Sequence, residues 1–119
     1  MTKKINPQSV GLDIGLSFIK WLTGSENLHY GIWTDLDVSA ENIGSAQSTY
    51  TDTIFSYLPD GPLRILDVGG GAGETARKLI ALGHQVDIVV PSPFLAERCR
   101  ANAPTANVNL CKFEEFEIF

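Results

Sequence analysis

The stretch "RILDVGGGAGETA", residues 64–76, joins a short apolar run to a single carboxylate and a crowd of glycines. Asp67 is the only charged residue between Arg64 and Glu74, and Gly69, Gly70, Gly71 and Gly73 follow it. A backbone without side chains lets a ligand come close to its amides, and a carboxylate beside them can hold a cation. Upstream, "LHYGIW" brings His29, Tyr30 and Trp33 into one short segment. An imidazole there either acts as a general base or serves packing and hydrogen bonding, and an indole either stacks on a ligand or packs. No catalytic residue is assigned, and His84, in a turn at the other end of the strands, is expected to play no part.

Spacing narrows what the glycines hold. A dinucleotide fingerprint, GxGxxG, counted from Gly69 and Gly71 needs its third glycine where Glu74 stands. A glutamate at a helix N-terminus also repels a phosphate that wants the same amides. A phosphate-binding Walker loop is excluded because no GK[ST] follows.

These residues need elements to position them. Val10, Ile14, Phe18, Trp21 and Leu22 recur at helical steps, and Gly24 is placed to end that helix. Residues 25–44 show no sustained period and read as a loop, and "SAQSTYTDTIFSYLPDGP" reads as a second helix stopped by Pro59 and Pro62. Ile65 to Val68 form a buried strand, with a helix over residues 74–82, a strand over "QVDIVV", a helix over "FLAERCRAN" and a third strand at "NVNLC". Strand, helix, strand, helix, strand predicts an α/β fold: the first half of a Rossmann-like doubly wound parallel sheet, preceded by N-terminal helices. Residues 1–45 are expected to form a helical lid segment and residues 46–119 the first half of the binding domain. Such a half leaves an open edge on its first strand. The 119 residues are therefore expected to be the N-terminal portion of a larger domain or a piece completed by another chain, inactive alone and prone to self-associate through that edge.

The spacing DxGxGxG, carried by Asp67, Gly69, Gly71 and Gly73, resembles motif I of the class I S-adenosylmethionine-dependent methyltransferases. The resemblance extends over roughly residues 28–119. It includes "LHYGIW", similar to the LHxGYW segment of small-molecule methyltransferases, Ala46–Gln47 opening a helix, and a Ser-Pro before "ERCRAN". It implies S-adenosylmethionine as cofactor and a small molecule as methyl acceptor. Asp67 would then act on the cofactor's amino group, directly or through water, with the amides near Gly69, Gly70 and Gly71 packed on the ligand. A helix cap or loop organiser is the other role open to Asp67. Gly70 stands where the family often has Cys, so a small residue is expected to suffice. Tyr30 is the first contact implied for the aromatic segment, and His29 the second.

The chain departs from the pattern at the end of its second strand. Family members usually carry there an acid that holds both ribose hydroxyls, but an ungapped match puts Val90 at that place. Asp87 is on the other face of the strand, and Ser92 is the nearest replacement hydroxyl. The adenine-contacting acid falls on Glu114, although a two-residue shift would substitute Lys112. Glu97, Arg98 and Arg100 read as a solvated helix face. The departure at Val90 keeps a second reading open, a methyltransferase-like binding module without catalysis; it also weighs, with Glu74, against a nucleotide-dependent oxidoreductase.

Composition sets the remaining limits. With 44% hydrophobic and 19% charged residues the chain is an ordinary globular protein. A net charge of -5 and scattered basic residues give no footprint for nucleic acid or an anionic membrane. Two distant cysteines suggest neither zinc nor a disulfide framework, and a reducing cytoplasmic setting is expected. Asp13, Ser17 and Lys20 interrupt the apolar N-terminal stretch, so neither a signal peptide nor a membrane span is read there.

Overall fold

The computed structural model describes residues 4–117. Local signals set the first helix, α1 (Pro7–Thr23): Asn6 caps its N-terminus by accepting from the Gln8 amide at 3.0 Å, and Gly24 closes it in the left-handed region, φ 77°. A loop and a 3-10 turn (Ala40–Asn42) lead to α2 (Ile43–Phe55). Alternation then begins with β1 (Arg64–Val68), α3 (Glu74–Ala81), β2 (Gln85–Val90), α4 (Pro93–Asn102) and β3 (Asn107–Leu110). A further 3-10 turn covers Phe113–Glu115.

The strands form one parallel sheet in the order β1-β2-β3, with Asp67 opposite Ile88 and Ile88 opposite Val108. Central β2 is buried from Val86 to Val90, and its period-two alternation sends Val86, Ile88 and Val90 into one cluster. That cluster is closed by Ala76 and Leu79 of α3 and by Ala96 and Cys99 of α4. Full burial of Ile88 and Val90 contributes about 1.5–3 kcal/mol each. Among the described residues β1 pairs only with β2, so its other edge is open.

Two expectations need correction. The stripe Val10, Ile14, Phe18 and Trp21 is solvent-facing, with Trp21 77% exposed, while Leu16 is the residue α1 buries. This helix is apolar on two sides, so the periodic stripe alone did not identify the packed one. Nor are Glu97, Arg98 and Arg100 one solvated face: Glu97 and Arg100 are exposed, but Arg98 turns inward onto buried Glu26.

Candidate functional site

The site begins where β1 ends. The Gly69 amide donates to the Val89 carbonyl at 2.8 Å, which extends the ladder by one residue before the chain turns. Gly69 and Gly71 then take φ of 68° and 57°, a region L side chains enter at a cost of roughly 1–2 kcal/mol. A side chain at either would meet open space. Gly70 is different, because a Cβ there would lie 2.6 Å from Ile88 Cγ2 and 3.0 Å from Asp67 Oδ2. The expectation that any small residue would do is therefore wrong: a methyl of Ile88 fills the space that a side chain at 70 would need.

Helix α4 holds this turn from behind. The Cys99 thiol donates to the Gly71 carbonyl at 3.1 Å, and Asn102 Nδ2 donates to the Ala72 carbonyl at 2.9 Å. At Gly73 an added Cβ would lie 2.9 Å from Cys99 Cα, so the absent side chain lets the start of α3 approach α4 closely.

A cleft of about 490 Å³ opens over the turn. Asp67 and residues 68–72 form one wall, Asn27 to His29 another, and Tyr50 and Ile54 of α2 a third. Asp67 Oδ2 is buried in that wall without a hydrogen-bond partner among the described residues. Burial pushes the Asp67 carboxyl above its ordinary range. The Cys99 thiol is raised to about 11, by its own burial first and then by the neighbouring Asp67 charge.

The second wall is tied down from two sides. Buried Gln47 donates through Nε2 to the carbonyls of Asn27 at 3.1 Å and His29 at 3.0 Å. The Ile32 amide reaches the Ala46 carbonyl at 2.9 Å, and Gly31 lies so near α2 that a Cβ would meet Ala46 Cβ at 2.5 Å. His29 stacks on Tyr50 with ring centroids 5.0 Å apart. Its Nδ1 lies 2.7 Å from the Tyr30 carbonyl, an acceptor only, so Nδ1 carries a proton. Its Nε2 faces the Thr51 hydroxyl at 3.2 Å.

Glu26 anchors the near end of that wall and is only 4% exposed. Arg98 donates to it from Nη2 at 2.6 Å and from Nε at 3.3 Å, Lys20 lies at 3.4 Å, and Asn102 donates a further short bond. Burial raises the Glu26 carboxyl, but the hydrogen bonds from Arg98 and Asn102, the Arg98 charge and Lys20 outweigh it and hold the group below its ordinary range. The Glu26 amide donates to Glu74 Oε1 at 3.3 Å, and Arg77 binds the other oxygen of Glu74 at 2.7 Å. The carboxylate at the start of α3 is thus turned to internal partners.

Of the residues singled out in the sequence, Asp67, Gly69, Gly70, Gly71, Glu74 and His29 come together at the cleft. Gly73 lies behind it. Tyr30 is 91% exposed and lines, with Trp33 and Gln47, a separate cavity of about 320 Å³ under α1. Ser92 caps α4, its hydroxyl accepting from the Leu95 amide at 3.3 Å, and Glu114 sits exposed in the last 3-10 turn. Neither lines the cleft. Val90 is a core residue, 1% exposed. His84 Nδ1 accepts from the Leu63 amide at 3.1 Å, at the far end of the strands. Asp87, on the strand face opposite the core cluster, pairs with Arg64 at 3.0 Å and with Asn107. The sequence reading missed Glu26 and Asn102, which carry no local motif, and it took Gln47 only as part of a resemblance.

No protein-family model and no curated protein sequence matches the chain. Solved structures do. The [4+2]-cyclase SpnF matches with a TM-score of 0.71 at 19% identity over 98% of this chain and 47% of its own. The geranyl diphosphate C-methyltransferase of Streptomyces coelicolor A3(2), in complex with S-adenosyl-L-homocysteine, matches at 0.65 and 16% over 97% of this chain and 52% of its own. Coclaurine N-methyltransferase, bound to N-methylheliamine and S-adenosyl-L-homocysteine, matches at 0.65 and 17% over 98% and 40%. This chain has the fold of the class I S-adenosylmethionine-dependent methyltransferases, and it spans about half the length of the solved structures it matches. One of those structures is a cyclase, so the fold alone does not name the reaction.

Proposed function

We propose that the chain forms the cofactor half of a methyltransferase acting on a small molecule, with S-adenosylmethionine held over the glycine turn. The observation that carries this reading is Asp67 Oδ2, a buried carboxylate oxygen with no donor, in the wall of a cleft beside a turn open to close approach. A buried charge without a partner is costly, and an α-ammonium group supplies the donor that is missing. The residues therefore fit the methionine end of the cofactor. They do not fit its ribose in the family's usual way, since Val90 lies in the core.

When bound, the cofactor supplies an electrophilic methyl group on a sulfonium. The chain's own part is positional: Asp67 holds the amino group, the turn lies against the methionine chain, and the segment Asn27 to His29 walls the cleft from water. Alignment in a dry site is a large share of such catalysis. Glu114, Ser92 and Tyr30 belong to this proposal only if the bound state brings them in. Calorimetry tests it: S-adenosylhomocysteine is expected to bind and NAD not to bind, and the reverse preference overturns the reading.

Val90 favours a second reading, a ligand-binding module of this fold that does not transfer methyl groups. A methyl-transfer assay over amine, hydroxyl and carbon acceptors separates the two. The open edge of β1 adds a further proposal, self-association of the isolated chain, which light scattering checks. Cys99 and Cys111 are free thiols, and no helix among the described residues is long and apolar enough to cross a membrane.

A further inference from the structure

We infer that Glu26 is a positioning residue of the cleft: through Arg98 and Asn102 it latches the segment Asn27 to His29 against the glycine turn. The inference rests on the cleft being an S-adenosylmethionine site. Three links converge on this one residue. Its carboxylate takes Arg98 from α4 and Lys20 from α1. Asn102 is shared between that carboxylate and the Ala72 carbonyl, so one amide group joins the latch to the turn itself. The Glu26 amide binds Glu74 at the first position of α3, just after the turn.

The three residues after Glu26 all line the cleft. A wall starting from a residue fixed in this way cannot shift relative to Asp67 without breaking a bond that is buried and charge-assisted. The same contacts keep Glu74 engaged, with Arg77 on one oxygen and the Glu26 amide on the other. Glu74, which itself lines the cleft, thereby has both carboxylate oxygens engaged by protein donors. Loss of the latch should harm ligand affinity more than its effect on stability explains.

The test measures S-adenosylhomocysteine affinity by calorimetry, well below each protein's melting temperature, together with hydrogen exchange at the amides of residues 26–29. Full chains of the wild type, Glu26→Gln, Arg98→Met and the double variant are compared. Asp87→Asn is the control, because it breaks a pair at the opposite end of the strands. Each single latch variant is expected to bind about tenfold more weakly and to exchange faster at 26–29. The double variant should bind no worse than the weaker single one, and Arg98→Lys should recover part of the loss. Asp87→Asn should lose stability without losing affinity. Latch variants that melt earlier yet bind with unchanged affinity overturn the inference, as does unchanged exchange. If the wild type binds no S-adenosylhomocysteine, the cofactor reading falls, and faster exchange in Glu26→Gln still upholds the latch between the segment and the turn. Should Glu26→Gln not fold, Arg98→Lys carries the same comparison.

Discussion

Asp67 near the end of β1 and Glu26, two residues after the Gly24 cap of α1, are carboxylates lining the same cleft. Glu26 is surrounded by Arg98, Asn102 and Lys20, and its carboxyl is held low in spite of burial. Asp67 has an oxygen with no donor among the described residues, and burial alone pushes its carboxyl up. Burial is common to both, so the difference lies in the donors. The charge of Glu26 is met by donors inside the fold, whereas Asp67 Oδ2 is buried without a partner among the described residues.

The largest expected effect breaks the satisfied side. Arg98→Met leaves Glu26 with Asn102 and the more distant Lys20, and the poorly compensated buried charge should cost about 3 kcal/mol in a urea titration. A loss below about 1 kcal/mol would mean that Glu26 is little better provided for than Asp67.

Next in size is the turn between them. Gly70→Ala should cost about 2 kcal/mol, because its Cβ would press on Ile88 Cγ2 in a packed core. The excess should shrink in the Ile88→Ala background, read as non-additivity in a double-mutant cycle.

The smallest effect is the most diagnostic, because the two acids should answer pH with opposite signs. Asp67 is raised in the folded state, so its contribution to stability is present below its ordinary value of 3.8 and lost as pH rises through the raised one. Asp67→Asn should therefore match or exceed the wild type in unliganded stability near neutrality, while binding S-adenosylhomocysteine more weakly. Glu26 is lowered, so its contribution is present above its ordinary value of 4.5 and lost as pH falls through the lowered one. The advantage of wild type over Glu26→Gln should accordingly vanish in acid. Melting curves from about pH 3 to 8 check both signs. Parallel curves for the two variants would remove the contrast.

Much of this was legible in the sequence because it is local. The helical steps of α1 and the Gly24 that closes it were readable from residues a few positions apart. The βαβαβ order followed from branched apolar runs between turn formers, and the glycine turn from residues that alone enter the left-handed region cheaply. Asp67 and the glycines Gly69 to Gly71 lie within five residues of one another, so β1 and the turn bring them to one cleft together. What lay beyond reach depends on partners far along the chain. Arg98 looks like a surface arginine until residue 26, 72 positions away, supplies a buried carboxylate. The apolar stripe of α1 looks like a packing face until the fold buries Leu16 and leaves Trp21 outside. Gly70 looks like one small residue among several until Ile88 arrives from the next strand. Backbone preference and periodicity act over one or two turns and are written in neighbouring residues. Which charge is neutralised, which face is covered and which glycine is irreplaceable are set by distant groups, and tertiary packing alone decides them.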